Sequence, residues 1–164
     1  MLLDIKKVFQ NVGETLEVDH EVSMQNVEID GIYPFKAPVK IKAIATNKAS
    51  LVGLDIITEF NYVRPCDRCL ETVDRVMSYK FNHKLAVELN NDDSDDYIQA
   101  PDFKIDIDEL VTTDIILQLP SKYLCSEGCR GLCPSCGQNL NNGDCGCNDK
   151  QIDSRLEQLK QLLE

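Results

Sequence analysis

The sequence predicts an α+β fold: a curved antiparallel β-sheet or small barrel-like sheet, one packing helix, a cysteine-rich ribbon segment and a C-terminal helix. Three observations predict it. Apolar and polar side chains alternate through four runs between Leu16 and Val87, the period of half-buried strands. One helical stretch then stops at Pro120. Six of the eight cysteines fall between residues 121 and 147.

The strands come first. Leu16, Val18, His20 and Val22 alternate with Glu17, Asp19 and Glu21. Val39, Ile41 and Ala43 alternate with Lys40 and Lys42. Leu54, Ile56, Phe60 and Tyr62 form a third run, and Met77, Tyr79, Phe81, Leu85 and Val87 a fourth. The last two flank Cys66-Asp67-Arg68-Cys69, which predicts an antiparallel hairpin closed by a Cys-x₂-Cys turn. Residues 90–102 are acidic and poor in apolar side chains, which predicts a loop. A helix is expected over 108–118, with Leu110, Val111, Ile115 and Leu117 to Leu119 as its apolar stripe. Asp106, Asp108 and Glu109 suit the positive end of its dipole. From Asn148 to Glu164, Ile152, Leu156, Leu159 and Leu163 share one helical face, and Asn148 with Gln151 can cap it. The expected organisation is a β-rich core over 1–120, a cysteine-rich segment over 121–147 and an amphipathic helix over 148–164.

The 164 residues suit one domain, or one domain with an appendage. Hydrophobic residues make up 43% of the chain and aromatics 6%, so its core rests on Ile, Leu and Val. No apolar run is long enough to span a bilayer. Asp4, Lys6 and Lys7 follow Met1-Leu2-Leu3 at once, unlike a signal peptide. A cytoplasmic protein with no membrane partner is the expectation. The net charge of −11 is unevenly spread: residues 85–120 carry −9 and residues 36–84 carry +4. Nucleic acid would therefore need the locally basic stretch.

In a reducing compartment, paired cysteines read as metal ligands before disulfides. Cys66/Cys69 and Cys133/Cys136 are Cys-x₂-Cys, Cys125/Cys129 is Cys-x₃-Cys and Cys145/Cys147 is Cys-x-Cys. Such gaps let both sulfurs of a pair face one ion. Sequence proximity groups Cys133, Cys136, Cys145 and Cys147 around a Gly/Asn-rich turn, as in a zinc ribbon. Cys66, Cys69, Cys125 and Cys129 remain for a second site. Two structural Zn²⁺ ions are the expected cofactors. Iron fits four thiolates equally well by geometry.

Other chemistries fit less well. Pro65-Cys66-x-x-Cys69 matches half of a zinc deaminase signature, but neither His20 nor His83 begins a His-x-Glu. A strand follows the pair where a thioredoxin-type site would have a helix. The two histidines read as satisfied core residues. The acidic run Asp92 to Asp96 lacks a calcium-loop pattern. There is no phosphate-binding loop and no nucleophile–base signature, so no catalytic residue and no small-molecule substrate are expected.

Several segments together resemble the YceD family of large ribosomal RNA accumulation proteins. They are Cys66-Asp67-Arg68-Cys69-Leu70-Glu71, Ile105 to Val111, Leu117-Gln118-Leu119-Pro120, Cys129 to Asn141, and Ile152 to Lys160. The resemblance runs in order along residues 50–164, and its cysteine block looks like the Gram-positive branch. It implies a bacterial, non-enzymatic factor supporting the accumulation or processing of large-subunit ribosomal RNA. The partner would be that RNA or a precursor particle. In a rival reading the acidic belt holds a basic ribosomal protein. An RNA contact would draw on Lys40, Lys42, Arg64, Arg68, Lys80 and Lys84, all from the basic stretch.

Overall fold

The computed structural model describes residues 1–88 and 97–147. The expected helix over 148–164 and most of the acidic loop lie outside the described residues. The chain divides into two compact units. One comprises Met1–Arg64 and Asp74–Ser121, the other Pro65–Val73 and Lys122–Glu164.

The first unit is built on a curled five-stranded sheet. Its strands are β2 (Thr15–Val22), β3 (Val39–Lys48), β4 (Leu51–Pro65), β5 (Thr72–Ala86) and β6 (Tyr97–Gln99), hydrogen-bonded in that order. β2, β3 and β4 pair antiparallel, with Val18 opposite Ala43 and Ala43 opposite Ile56. Alternation dictates which face is covered: Val39, Ile41, Ala43 and Ala45 of β3 and Val52, Leu54, Ile56, Phe60 and Tyr62 of β4 are all buried. The few aromatic rings cluster. Phe35 lies 5.4 Å from Phe60 and 5.5 Å from Tyr62, and Phe60 lies 5.6 Å from Tyr79, in tilted and edge-on geometries.

Helix α2 (Ile107–Gln118) ends before Pro120 as predicted, but buries Ile107, Val111 and Ile115. Leu117, assigned to the apolar stripe from sequence, is 80% exposed. A spacing of four places residues 107, 111 and 115 on one stripe, while residue 117 lies roughly 200° around from 115. The Asp106 side chain caps the helix, accepting from the Asp108 N–H at 3.0 Å. Both histidines pair with this helix: His20 Nε2 meets Asp108 Oδ1 at 2.9 Å, and His83 Nε2 meets Asp114 Oδ2 at 2.7 Å. Both are satisfied, as the sequence suggested, but they are half-buried and not in the core.

Among the described residues, several short elements escaped the sequence reading. β1 (Leu2–Asp4) pairs antiparallel with β7 (Lys104–Asp106). Helix α1 (Lys6–Gln10) buries Val8 and is tied to β3 by Asn47, whose amide donates to the Val8 carbonyl at 2.8 Å. Part of the predicted loop 90–102 is strand: β6 pairs parallel with β5, Leu85 opposite Ile98. Three-residue strands carry too little periodicity to be read, and Tyr97-Ile98-Gln99 follows a run of acids.

The cap yields a stability prediction. Asp106→Ala should cost about 1 kcal/mol through the lost N-cap. Asp106→Asn keeps the acceptor and should retain most of that stability. Urea unfolding followed by far-ultraviolet circular dichroism measures both; equal loss in the two variants would contradict the capping role.

Candidate metal centres

All eight cysteines lie in the second unit, in two groups of four. Within each group the sulfurs lie within 4.8 Å of one another. The first group is assembled from the turn between β4 and β5 and the segment after Ser121. In that turn the Cys66 N–H donates to the Glu71 carbonyl at 2.8 Å and the Leu70 N–H to the Cys66 carbonyl at 3.0 Å. Leu70 takes a left-handed φ of 62° to close it. Asp67 then pins the second segment. Its N–H donates to the Tyr123 carbonyl at 2.9 Å, and its carboxylate accepts from the Tyr123 N–H at 2.6 Å.

Cys66 Sγ lies 3.8 Å from Cys129 Sγ, and Cys69 Sγ lies 3.6 Å from Cys125 Sγ. Four thiolates about 2.3 Å from one ion form a tetrahedron with edges of about 3.8 Å, so the set fits a metal centre. A disulfide would need about 2.05 Å, and none of the eight cysteines is in a disulfide. Cys66, Cys69 and Cys129 are buried, with Val73, Leu124 and Leu132 packed against them. The Arg68 guanidinium donates to the Cys129 carbonyl at 2.9 Å. Gly131 passes beside Arg68 at φ 77°, where a Cβ would stand 3.1 Å from the Arg68 carbonyl oxygen. Both the backbone conformation and the tight approach favour glycine there.

The second group is Cys133, Cys136, Cys145 and Cys147. The Gly137 N–H donates to the Cys133 carbonyl at 2.9 Å and the Cys133 N–H to the Gln138 carbonyl at 2.8 Å, which closes the Cys-x₂-Cys turn. Gly146, at φ 71°, occupies the single position between Cys145 and Cys147. The intervening loop carries a short 3₁₀ turn, Leu140–Asn142, capped by the Asn139 side chain. Four sulfur ligands complete a tetrahedron and leave no position for a reacting water, the arrangement of a structural centre.

The thiols are electrostatically unequal. Burial pushes Cys66 up, but N–H groups of Cys69, Arg68 and Cys125 outweigh it and bring it down to about 6. For Cys69 the bond from the Glu71 backbone lowers the value, while burial and the neighbouring thiols win and push it up to about 12. The Cys129 thiol raises Cys125. The Asn141 amide is the main cause that lowers Cys129. In the second group the N–H groups of Cys136 and Ser135 bring Cys133 down to about 7. Cys136 and Cys145 push Cys147 up to about 12. Crowded thiols cannot all ionise unless a cation offsets their charge.

The basic residues singled out from sequence are placed differently. Lys40, Lys42, Lys80 and Lys84 are exposed on their strands. Lys40 stands between Glu21 and Glu59 in the sheet register. Lys42 ion-pairs with Glu17 at 2.5 Å, which raises its pKa. Lys84 lies 5.6 Å from the centre of the Tyr97 ring. Arg64 is largely covered and meets Asp30 at 3.3 Å. Arg68 is engaged at Cys129. Lys40 and Lys42 thus share their sheet face with carboxylates, and both arginines serve local structure. Sequence reasoning also passed over Asp67, Gly131 and Asn141, which shape the centres without ligating. Only Gly131, an invitation to a tight approach, carried a visible signal.

The family model for "Large ribosomal RNA subunit accumulation protein YceD" matches residues 54–163, about two thirds of the chain. This chain belongs to the YceD family. The match begins in β4 and takes in both cysteine groups and α2; β1, α1, β2 and β3 precede it. Uncharacterized proteins of Mycobacterium tuberculosis and Mycobacterium bovis are 27% identical over 144 residues, covering 77% of this chain and 69% of theirs. A chloroplastic YCED homolog 1 of Arabidopsis thaliana, also named for large ribosomal RNA subunit accumulation, is 25% identical over 162 residues. That alignment covers 80% of this chain and 50% of the plant protein. No solved structure matches the chain. Among the described residues no helix is long and apolar enough to cross a membrane.

The unequal thiols predict how metal binding in this YceD member depends on pH. Near neutrality Cys66 has already lost its proton, whereas Cys69 and Cys125 keep theirs. A dication at the first group must therefore displace at least the two protons of Cys69 and Cys125. Protons compete with the metal, so affinity falls as pH falls. The logarithm of the zinc association constant should rise by about two or more per pH unit from about 6.5 to 8.5. Chelator competition at each pH measures the slope, and a slope near zero would contradict the assignment.

Proposed function

We propose that this YceD-family protein is a cytoplasmic, non-enzymatic ribosome-biogenesis factor that supports accumulation or processing of large-subunit ribosomal RNA. Two structural zinc ions hold its cysteine-rich unit. The single observation carrying the reading is the family match over residues 54–163. The closed Cys₄ geometry supports zinc in a structural role, because soft thiolates in a tetrahedron suit that ion and leave it no open position. In the RNA-binding form of this reading, Lys40, Lys42, Lys80 and Lys84 meet the phosphate backbone of the RNA or of a precursor particle.

One observation favours a second form. Lys40 and Lys42 are interleaved with Glu17, Asp19, Glu21 and Glu59, and a face of mixed sign attracts phosphate weakly. An adaptor would instead use acidic groups to hold a basic ribosomal protein until it meets the RNA.

Deleting the gene should lower the ratio of large- to small-subunit ribosomal RNA, and the wild-type gene should restore it. An unchanged ratio would refute the function. Lys80→Glu with Lys84→Glu separates the two forms: the pair fails to restore the ratio if the lysines meet RNA and restores it fully if the protein is an adaptor.

A further inference from the structure

The two cysteine groups share a strut. Cys129 ends the first and Cys133 opens the second, so only Arg130, Gly131 and Leu132 separate them. These three residues are bonded on both sides. Toward the first group, the Leu132 N–H donates to the Arg68 carbonyl at 3.1 Å. Toward the second, the Leu140 N–H donates to the Gly131 carbonyl at 2.9 Å, and Leu132 forms an isolated β-bridge with Asn139.

Asn141 makes the connection chemical. It sits in the loop between Cys136 and Cys145, yet its side chain turns to the other group. Its Oδ1 accepts from the Arg130 N–H at 2.8 Å, and its Nδ2 lies 3.3 Å from Cys129 Sγ. An N–H donated to a ligating sulfur offsets part of the net −2 charge that four thiolates and a dication leave behind. Asn141 can hold that position only while its loop is folded. The loop from Gly137 to Asp144 is closed at both ends by thiols of the second group.

We propose that Asn141 is a positioning residue that couples the two metal centres, so that each ion bound strengthens the other's site. The proposal rests on the reading that both groups hold metal. A metal in the second group fixes the loop and aims the Asn141 amide at Cys129. A metal in the first group fixes Cys129 Sγ as the acceptor and so helps close the loop. The coupling is reciprocal, as any equilibrium linkage must be.

A thermodynamic cycle on the full-length protein tests it, with zinc under chelator competition and Co²⁺ absorption reporting tetrahedral thiolate coordination. Cys145→Ser with Cys147→Ser leaves the first centre, and Cys66→Ser with Cys69→Ser leaves the second. The product of the two wild-type association constants should exceed the product from these single-centre variants by about tenfold or more. Asn141→Asp keeps the Oδ1 acceptor for Arg130 but removes the amide donor. It should still bind two ions with tetrahedral Co²⁺ bands, while the excess shrinks toward unity. Asn141→Asp is also placed in each single-centre variant, so that its direct effect on the Cys129 sulfur cancels from the excess, and tetrahedral Co²⁺ bands in each variant report that its remaining centre is intact. Two ions bound with no excess, or an excess unchanged in Asn141→Asp, would overturn the coupling and leave the metal reading intact. Absence of tetrahedral Co²⁺ bands in the wild type would overturn both.

Discussion

Four thiols converging from two distant stretches of chain govern how the second unit is built. Cys69 and Cys125 are 56 positions apart in sequence and 3.6 Å apart in space. Little else there could hold them: among the described residues from Lys122 to Cys147, the buried side chains are those of Tyr123, Cys129 and Cys133. Hydrophobic burial of that extent does not offset the entropy of ordering such a segment. An ion binding four thiolates can, because its binding free energy is folding free energy. The hydrogen bonds around the centres follow the same logic. Asp67 fixes the backbone of Tyr123, two residues before Cys125, Arg68 and Asn141 fix the carbonyl and the sulfur of Cys129, and Gly131 allows the chains to approach.

The first unit obeys a different constraint. It is an ordinary β-sheet core in which alternation decides what is covered, and α2 is fastened by a cap and two His–Asp pairs. Its outer face is of mixed sign. A stretch that is basic in sequence need not be basic in space, because β3 is bordered by the acidic alternate residues of β2. This spatial neutralisation is why the choice between an RNA-tracking face and an acidic adaptor is posed at the level of single lysines.

Much of this was legible in the sequence. Strands β2 to β5 were, because runs such as Val39-Lys40-Ile41-Lys42-Ala43 satisfy only a period of two. The cysteine grouping was legible because two-residue gaps have few uses in a reducing compartment. The buried stripe of α2 was legible only in part: Val111 and Ile115 were read, Ile107 was not, and Leu117 was included though it is exposed. Ile115-Ile116-Leu117-Gln118-Leu119 is apolar nearly all round, so packing rather than pattern selects Ile115 and leaves Leu117 in solvent. Strands β1, β6 and β7 exist through their partners and are too short to announce themselves. Asn141 is an ordinary loop residue until the fold brings its amide to Cys129.

Elemental analysis of the protein purified under reducing conditions without added metal tests the central claim most directly. The account predicts two zinc ions per chain and no thiol that reacts freely before chelation. A protein carrying no metal, with eight freely reactive thiols and the same far-ultraviolet circular dichroism, would contradict it.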